Sequence, residues 1–200
     1  MTEGIATASP GTTTDELVRN ADIAMYTAKR SGKGRTAVFR ETMAEIPSGL
    51  LDLHVDLRKA LDAGQLSLHY QPIVALADGT VEGVEALLRW EHPTRGNIEP
   101  SVFIPVAEAT GMIIPIGQWV VVEACRAAVA LQKGRSALLR MNVNVSPEQL
   151  HDPTFVAFVE QTLRESGLEP ALLVLEVTEG YLLDSDTAVE RLAELHGLGV

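Results

Sequence analysis

In the stretch VEALLRW, residues 84–90, an anion and a cation interrupt an apolar run. Read as a strand, Glu85, Leu87 and Arg89 share one face, and Val84, Ala86, Leu88 and Trp90 share the other. A charged group on a packed strand must be satisfied or it is costly. Two more strands carry the same exception. Asn142 and Asn144 fall on one face of ALLRMNVNVS, residues 137–146, and Glu176 interrupts LLVLEV, residues 172–177. Two carboxylates and an amide oxygen that converge make an all-oxygen donor set, which suits Mg²⁺, Mn²⁺ or Ca²⁺ better than zinc. A divalent ion would neutralise both glutamates, polarise a phosphate and lower the pKa of a bound water. Arg89 could grip a phosphate with two parallel hydrogen bonds. The competing reading needs no ion: Glu85 pairs with Arg89, and Asn144 and Glu176 cap loops.

The elements that must position these residues follow from periodicity. LSLHYQPIVAL, then Asp78-Gly79, then TVEGVEALLRW reads as two strands joined by a hairpin turn, and so antiparallel. Beyond it, helices at 101–110 and about 115–132 lead to the strand 137–146. Asp152-Pro153 reads as an N-cap and first helical position, with the helix running to Gly167. A strand at 171–179 and a helix at 186–196 complete the series. Helices alternating with strands predict an α/β fold with parallel pairing after the opening hairpin. The polar exceptions are expected toward the C-terminal ends of their strands, where such folds bind ligands.

Upstream, Thr13 and Glu16 have capping-box spacing. Leu17, Val18, Ala21, Ala24, Met25 and Ala28 then make an apolar helical stripe, closed by Gly32 and Gly34, with a short strand at 36–39. Residues 41–49, with Pro47, Ser48 and Gly49, read as a linker. Leu50, Leu53, Leu57 and Leu61 form another stripe, ended by Gly64. The chain is expected to begin inside one domain and to stop inside another, because the strands after the linker are too few to close an eight-stranded barrel.

The chain has 200 residues and is 46% apolar, so a packed core is expected. A net charge of −11 excludes a non-specific binder of nucleic-acid polymers, which needs a basic stripe. It does not exclude a phosphate ligand held through a metal or an arginine. The single cysteine, Cys125, fits a reducing compartment and reads as a small buried hydrophobe. No window approaches an uninterrupted membrane span, and the N-terminus is no signal peptide. The five histidines lack metal-ligand spacing; His92, before Pro93, is read as stabilising the loop after the second strand.

Glu85-Ala86-Leu87 followed by Leu88-Arg89-Trp90 resembles the signature of EAL-domain cyclic di-GMP phosphodiesterases. The resemblance continues through Tyr70-Gln71-Pro72-Ile73, Glu91-His92-Pro93, Pro100 to Glu108, Asn144-Val145-Ser146-Pro147 and Glu176-Val177-Thr178-Glu179. It covers roughly residues 66–200, with 41–65 as linker and helix. It implies the N-terminal half of a TIM-like (β/α) barrel with an antiparallel first strand. The implied activity is metal-dependent opening of cyclic di-GMP to linear pGpG with Mg²⁺ or Mn²⁺, in the cytoplasm or tethered to a membrane from outside this chain. Glu85, Asn144 and Glu176 look like metal ligands, with Glu85 the catalytic residue. Arg89 looks like a substrate-phosphate contact, Gln71 and Leu87 like pocket lining, and Glu179 like a loop anchor. A homodimer of the full-length protein is compatible with the resemblance.

The family also uses a later Asp-Asp pair, a lysine, a glutamate and a glutamine, none of them within these 200 residues. The chain as given is therefore expected not to hydrolyse anything efficiently. The alternative is a catalytically degenerate barrel that binds cyclic di-GMP as a sensor or interaction module. Residues 1–40, through Ala21-Asp22-Ile23-Ala24-Met25-Tyr26-Thr27-Ala28-Lys29, resemble the helix-strand end of an α/β GGDEF (diguanylate cyclase) domain.

Overall fold

A computed structural model describes residues 3–8, 12–30, 36–39, 49–134, 138–177 and 186–200. The N-terminal unit is β1 (Glu3–Ile5), α1 (Thr14–Arg30) and β2 (Thr36–Val38), with β1 and β2 parallel. α1 starts where its capping box does: the Thr13 N–H donates to Glu16 Oε2 at 2.9 Å, and the Glu16 N–H returns a bond to Thr13 Oγ1 at 3.3 Å. Ala24 and Ala28 of its stripe are buried, whereas Val18 is 56% exposed and does not belong to it. β1 has no sequence signal, being three residues long. Gly32, Gly34, Pro47 and Ser48 lie outside the described residues.

α2 (Gly49–Ala60) comes next and buries Leu53, Leu57 and Ala60. β3 (Leu66–Val74) and β4 (Val81–His92) form the antiparallel hairpin. Its turn is set by Asp78-Gly79: Gly79 sits at φ 72, where a side chain would be strained. Asp78 Oδ1 accepts the Thr80 N–H at 3.0 Å, which holds the carboxyl below its usual pKa. A short β5 (Gly96–Ile98), unforeseen in the sequence, folds back on the end of β4.

α3 (Pro100–Thr110) and α4 (Ile113–Gln132) follow, then β6 (Arg140–Asn144), the one-turn α5 (Pro147–His151) and α6 (Phe155–Ser166). A 3-10 turn (Pro170–Leu172), β7 (Leu173–Glu176) and α7 (Asp186–Gly197) complete the chain. The main sheet runs β3-β4-β6-β7, antiparallel in the first pair and parallel in the other two. Gln132, the last residue of α4, sets the entry to β6. Its Nε2 donates to the Leu139 carbonyl at 2.8 Å and its Oε1 accepts the Leu139 N–H at 3.0 Å. The amide side chain thereby imitates a backbone bridge.

Two sequence expectations are corrected. Asp152-Pro153 does not open α6: the helix begins at Phe155 with Thr154 at its N-cap. Asp152 instead accepts the Thr154 N–H and hydroxyl at 2.9 and 2.7 Å, a local turn that competes with the capping role. Second, α4 has the length and apolar composition to cross a membrane. It lies against the sheet here, burying Ile116, Val120 and Ala124, while Glu123 and Arg126 pair at 2.6 Å on its other side.

Cys125 of α4 is fully buried, and burial pushes its thiol up to about 11 from the usual 9.0. The reactive thiolate is correspondingly scarce. At neutral pH a disulfide reagent is expected to label the folded chain on the order of a hundredfold more slowly than the urea-unfolded chain. The rate should climb only as pH approaches the raised value. Equal rates would place Cys125 at the surface.

Candidate active site

Strand pairing brings the polar exceptions to one face. In the β4–β6 ladder Glu85 is level with Asn142, and in the β6–β7 ladder Asn144 is level with Glu176. Level residues of paired strands point the same way. On the antiparallel side Gln71 of β3 stands opposite Glu85, and His69 opposite Leu87. Gln71, Glu85 and Asn142 therefore form a polar row across three strands, with Asn144 and Glu176 one step further on.

Two hydrogen bonds knit this face. Asn144 Nδ2 donates to Glu85 Oε1 at 2.7 Å, and Asn142 Nδ2 donates to Glu176 Oε1 at 2.6 Å. Each carboxylate thus takes an amide donor from the neighbouring strand. The role of Asn142 had no signal beyond its sharing a face with Asn144; the register alone reveals it. Glu85 and Glu176 are half-buried, and Asn144 is exposed. Glu85 and Arg89 do not pair; the amides of Asn144 and Asn142 satisfy the two carboxylates instead. Arg89 Nη1 donates to the Leu88 carbonyl at 2.9 Å.

Glu85 is not at the end of its strand, since β4 runs on to His92. It lies near the end of the parallel ladder, which spans Gly83–Ala86 on β4. Past Ala86 the strand's partners among the described residues are β3 and β5. The opening that a ligand would use therefore begins partway along β4, and Leu87 and Arg89 line its rim.

A cavity of about 350 Å³ opens beside this rim, lined by Leu87, Arg89, Asn144 and Glu176 on one side and by Ile104, Glu108 and Ile116 on another. Glu108 had no role in the sequence; the structure puts it at this cavity. Glu179 lies outside the described residues.

The segment after Asn144 is braced from below. Ser146 and Gln149 occupy the two positions of a capping box, and Gln149 Oε1 accepts the Ser146 N–H at 3.1 Å. The Ser146 hydroxyl is buried without a hydrogen-bond partner. Gln149 is 3% exposed and packs against Gly117 of α4; a Cβ at Gly117 would overlap the Gln149 amide. Gly117→Ala is expected to cost about 1–3 kcal/mol of stability, the usual range for overpacking, read as a lower urea midpoint. No change in midpoint would show that Gln149 can swing away freely.

The donor set fits a hard divalent cation: carboxylate oxygens from Glu85 and Glu176 and, by rotation of its amide, Oδ1 of Asn144. Among the described residues there is no cluster of three or more His, Cys, Asp or Glu side chains able to hold a metal without such an amide.

Residues 54–200 match the EAL domain family. The chain belongs to that family. It is 44% identical over 191 residues to the bifunctional diguanylate cyclase/cyclic di-GMP phosphodiesterase MucR of Pseudomonas aeruginosa, covering 95% of this chain and 28% of that protein. It is 40% identical over 176 residues to the cyclic di-GMP phosphodiesterase PdeR of Escherichia coli, covering 88% of this chain and 26% of that protein. Among solved structures, the MucR phosphodiesterase in complex with cyclic di-GMP superposes with a TM-score of 0.70 at 45% identity, covering 74% of this chain and 61% of that one. The chain thus spans about a quarter of the length of these curated relatives. Its fold is the α/β, TIM-like architecture of the EAL domain, and enzymes of that family work with a divalent metal ion.

Proposed function

We propose that this EAL-family chain is the N-terminal half of the barrel of a cyclic di-GMP phosphodiesterase, which opens the cyclic dinucleotide to pGpG. The observation that carries the reading is the placement of Glu85, Asn144 and Glu176 on one face of three paired strands, with Asn144 touching Glu85 at 2.7 Å. Relatives named as cyclic di-GMP phosphodiesterases, at 40% identity or more, support the substrate.

In this proposal Glu85, Asn144 and Glu176 hold Mg²⁺ or Mn²⁺, which when bound supplies a Lewis acid for the phosphodiester and an acidified water. Arg89, at the rim, binds a non-bridging phosphate oxygen and orients the diester. Leu87 lines the cavity beside it, and Gln71, opposite Glu85 on β3, adds a polar group to the same sheet face for the substrate to meet. Asn142 holds Glu176 in place through its 2.6 Å bond. Residues 1–40 are the end of a GGDEF domain, and residues 66–200 belong to the EAL half, whose family match starts at residue 54, within the helix before the hairpin.

The test is pGpG release from cyclic di-GMP by the whole protein with Mn²⁺. Product formation that stops on chelation supports the reading. Micromolar binding of the dinucleotide without turnover would replace it with a sensor.

A further inference from the structure

One contact outside the metal-facing set joins α2 to the end of β4. His92 is 8% exposed, and its Nε2 lies 3.1 Å from Asp56 Oδ2. Its Nδ1 accepts the backbone N–H groups of Thr94 and Arg95, both at 3.2 Å. A ring nitrogen that accepts two N–H bonds carries no proton, so Nε2 carries it and donates to Asp56. Asp56 also lies 3.7 Å from Arg95 Nη2. One carboxylate on α2 therefore grips both the last residue of β4 and the turn that follows.

The location gives this grip leverage. Among the described residues, β4 beyond Ala86 has no β6 partner, and its strand partners are β3 and β5. Arg89 lies in that stretch. His92 packs edge-on against Trp90 with ring centroids 5.7 Å apart, and Trp90 packs edge-on against Phe103 at 5.5 Å. The Trp90 Nε1 donates to Gln65 Oε1 at 3.2 Å, and the Glu91 N–H donates to the Gln65 carbonyl at 3.0 Å. Asp56 and His92 thus supply the third anchor of a strand end whose other face presents Arg89.

We propose that Asp56 and His92 are positioning residues for Arg89, so that the docking of α2 on the barrel sets how well the site grips a phosphate. The proposal rests on the phosphodiesterase reading for its substrate. It makes α2, the helix between the N-terminal unit and the barrel, a control point for the reaction.

The experiment uses the whole protein with three variants. Asp56→Leu cuts the link. His92→Asn cuts it too but retains a short acceptor for the Thr94 and Arg95 N–H groups. Asp56→Asn keeps an acceptor for Nε2. Amide hydrogen exchange is followed across residues 87–92, alongside steady-state kinetics on cyclic di-GMP. In the two cut variants, exchange there is expected to quicken about tenfold, and KM to rise about tenfold with kcat within about threefold of the parent. Asp56→Asn is expected to return both toward the parent values. Unchanged exchange in a folded cut variant overturns the proposal, and so does faster exchange with an unchanged KM. Should Asp56→Leu fail to fold, His92→Asn against Asp56→Asn decides. A parent protein with no turnover counts against the phosphodiesterase reading; the KM arm then becomes the dissociation constant for the dinucleotide, read against the same exchange data.

Discussion

Replacing Glu85 with alanine is expected to lower Mn²⁺-dependent hydrolysis of cyclic di-GMP by the whole protein at least ~10³-fold in kcat. Glu85 belongs to the central β4 and is flanked in register by Gln71 on one side and Asn142 on the other. Its carboxylate is the acceptor for Asn144. Alanine removes one of the three proposed oxygen donors and leaves the Asn144 amide, a second, without the carboxylate that tethers it. A bound metal supplies several kcal/mol of stabilisation to a phosphoryl transition state, and each 1.36 kcal/mol is tenfold in rate. Folding should suffer far less, by about 1 kcal/mol, because Glu85 is only half-buried and one hydrogen bond is lost. The check is pGpG release at saturating Mn²⁺ beside a melting curve. Activity near the parent level would remove Glu85 from the metal set. Glu85→Gln, which keeps the shape and loses the charge, should be nearly as poor.

Trp90→Ala has the largest expected effect on stability, about 3–5 kcal/mol. The indole is fully buried, makes edge-on contacts with Phe103 and His92, and donates its N–H to Gln65. Truncation opens a cavity where β3, β4, α3 and the loop after β4 meet. It also strands the Gln65 amide oxygen. A loss of that size is a large part of the ~5–15 kcal/mol that holds a typical domain together. Urea unfolding followed by circular dichroism measures it. Trp119, only half-buried on α4, provides the comparison and should cost clearly less. A loss below about 1 kcal/mol for Trp90 would mean that the β4 end is not part of the core.

Much of this was legible in the chain itself because local rules dictate it. Period-two and period-3.6 patterns mark the long elements. Thr13-x-x-Glu16 fixes the start of α1, and Asp78-Gly79 fixes the antiparallel hairpin, since both depend on residues within a few positions of each other. Short elements escaped: β1, β5 and α5 are too brief to show a period, and they exist because a partner strand or a cap receives them. Asp152 misled for a related reason. An aspartate can bond either a helix start or its own turn, and the choice depends on where the chain must go next.

The site divides the same way. Residue type and strand alternation put Glu85 with Arg89 on one face and Asn142 with Asn144 on another, and Glu176 on a third strand. Only the tertiary structure decided that Glu85 takes Asn144 as its partner and not Arg89, that Asn142 serves Glu176, and that Asp56 of α2 reaches His92. Those pairings join residues far apart in the chain. They depend on strand register and helix docking, which come from the burial of whole faces and leave no mark at any single position.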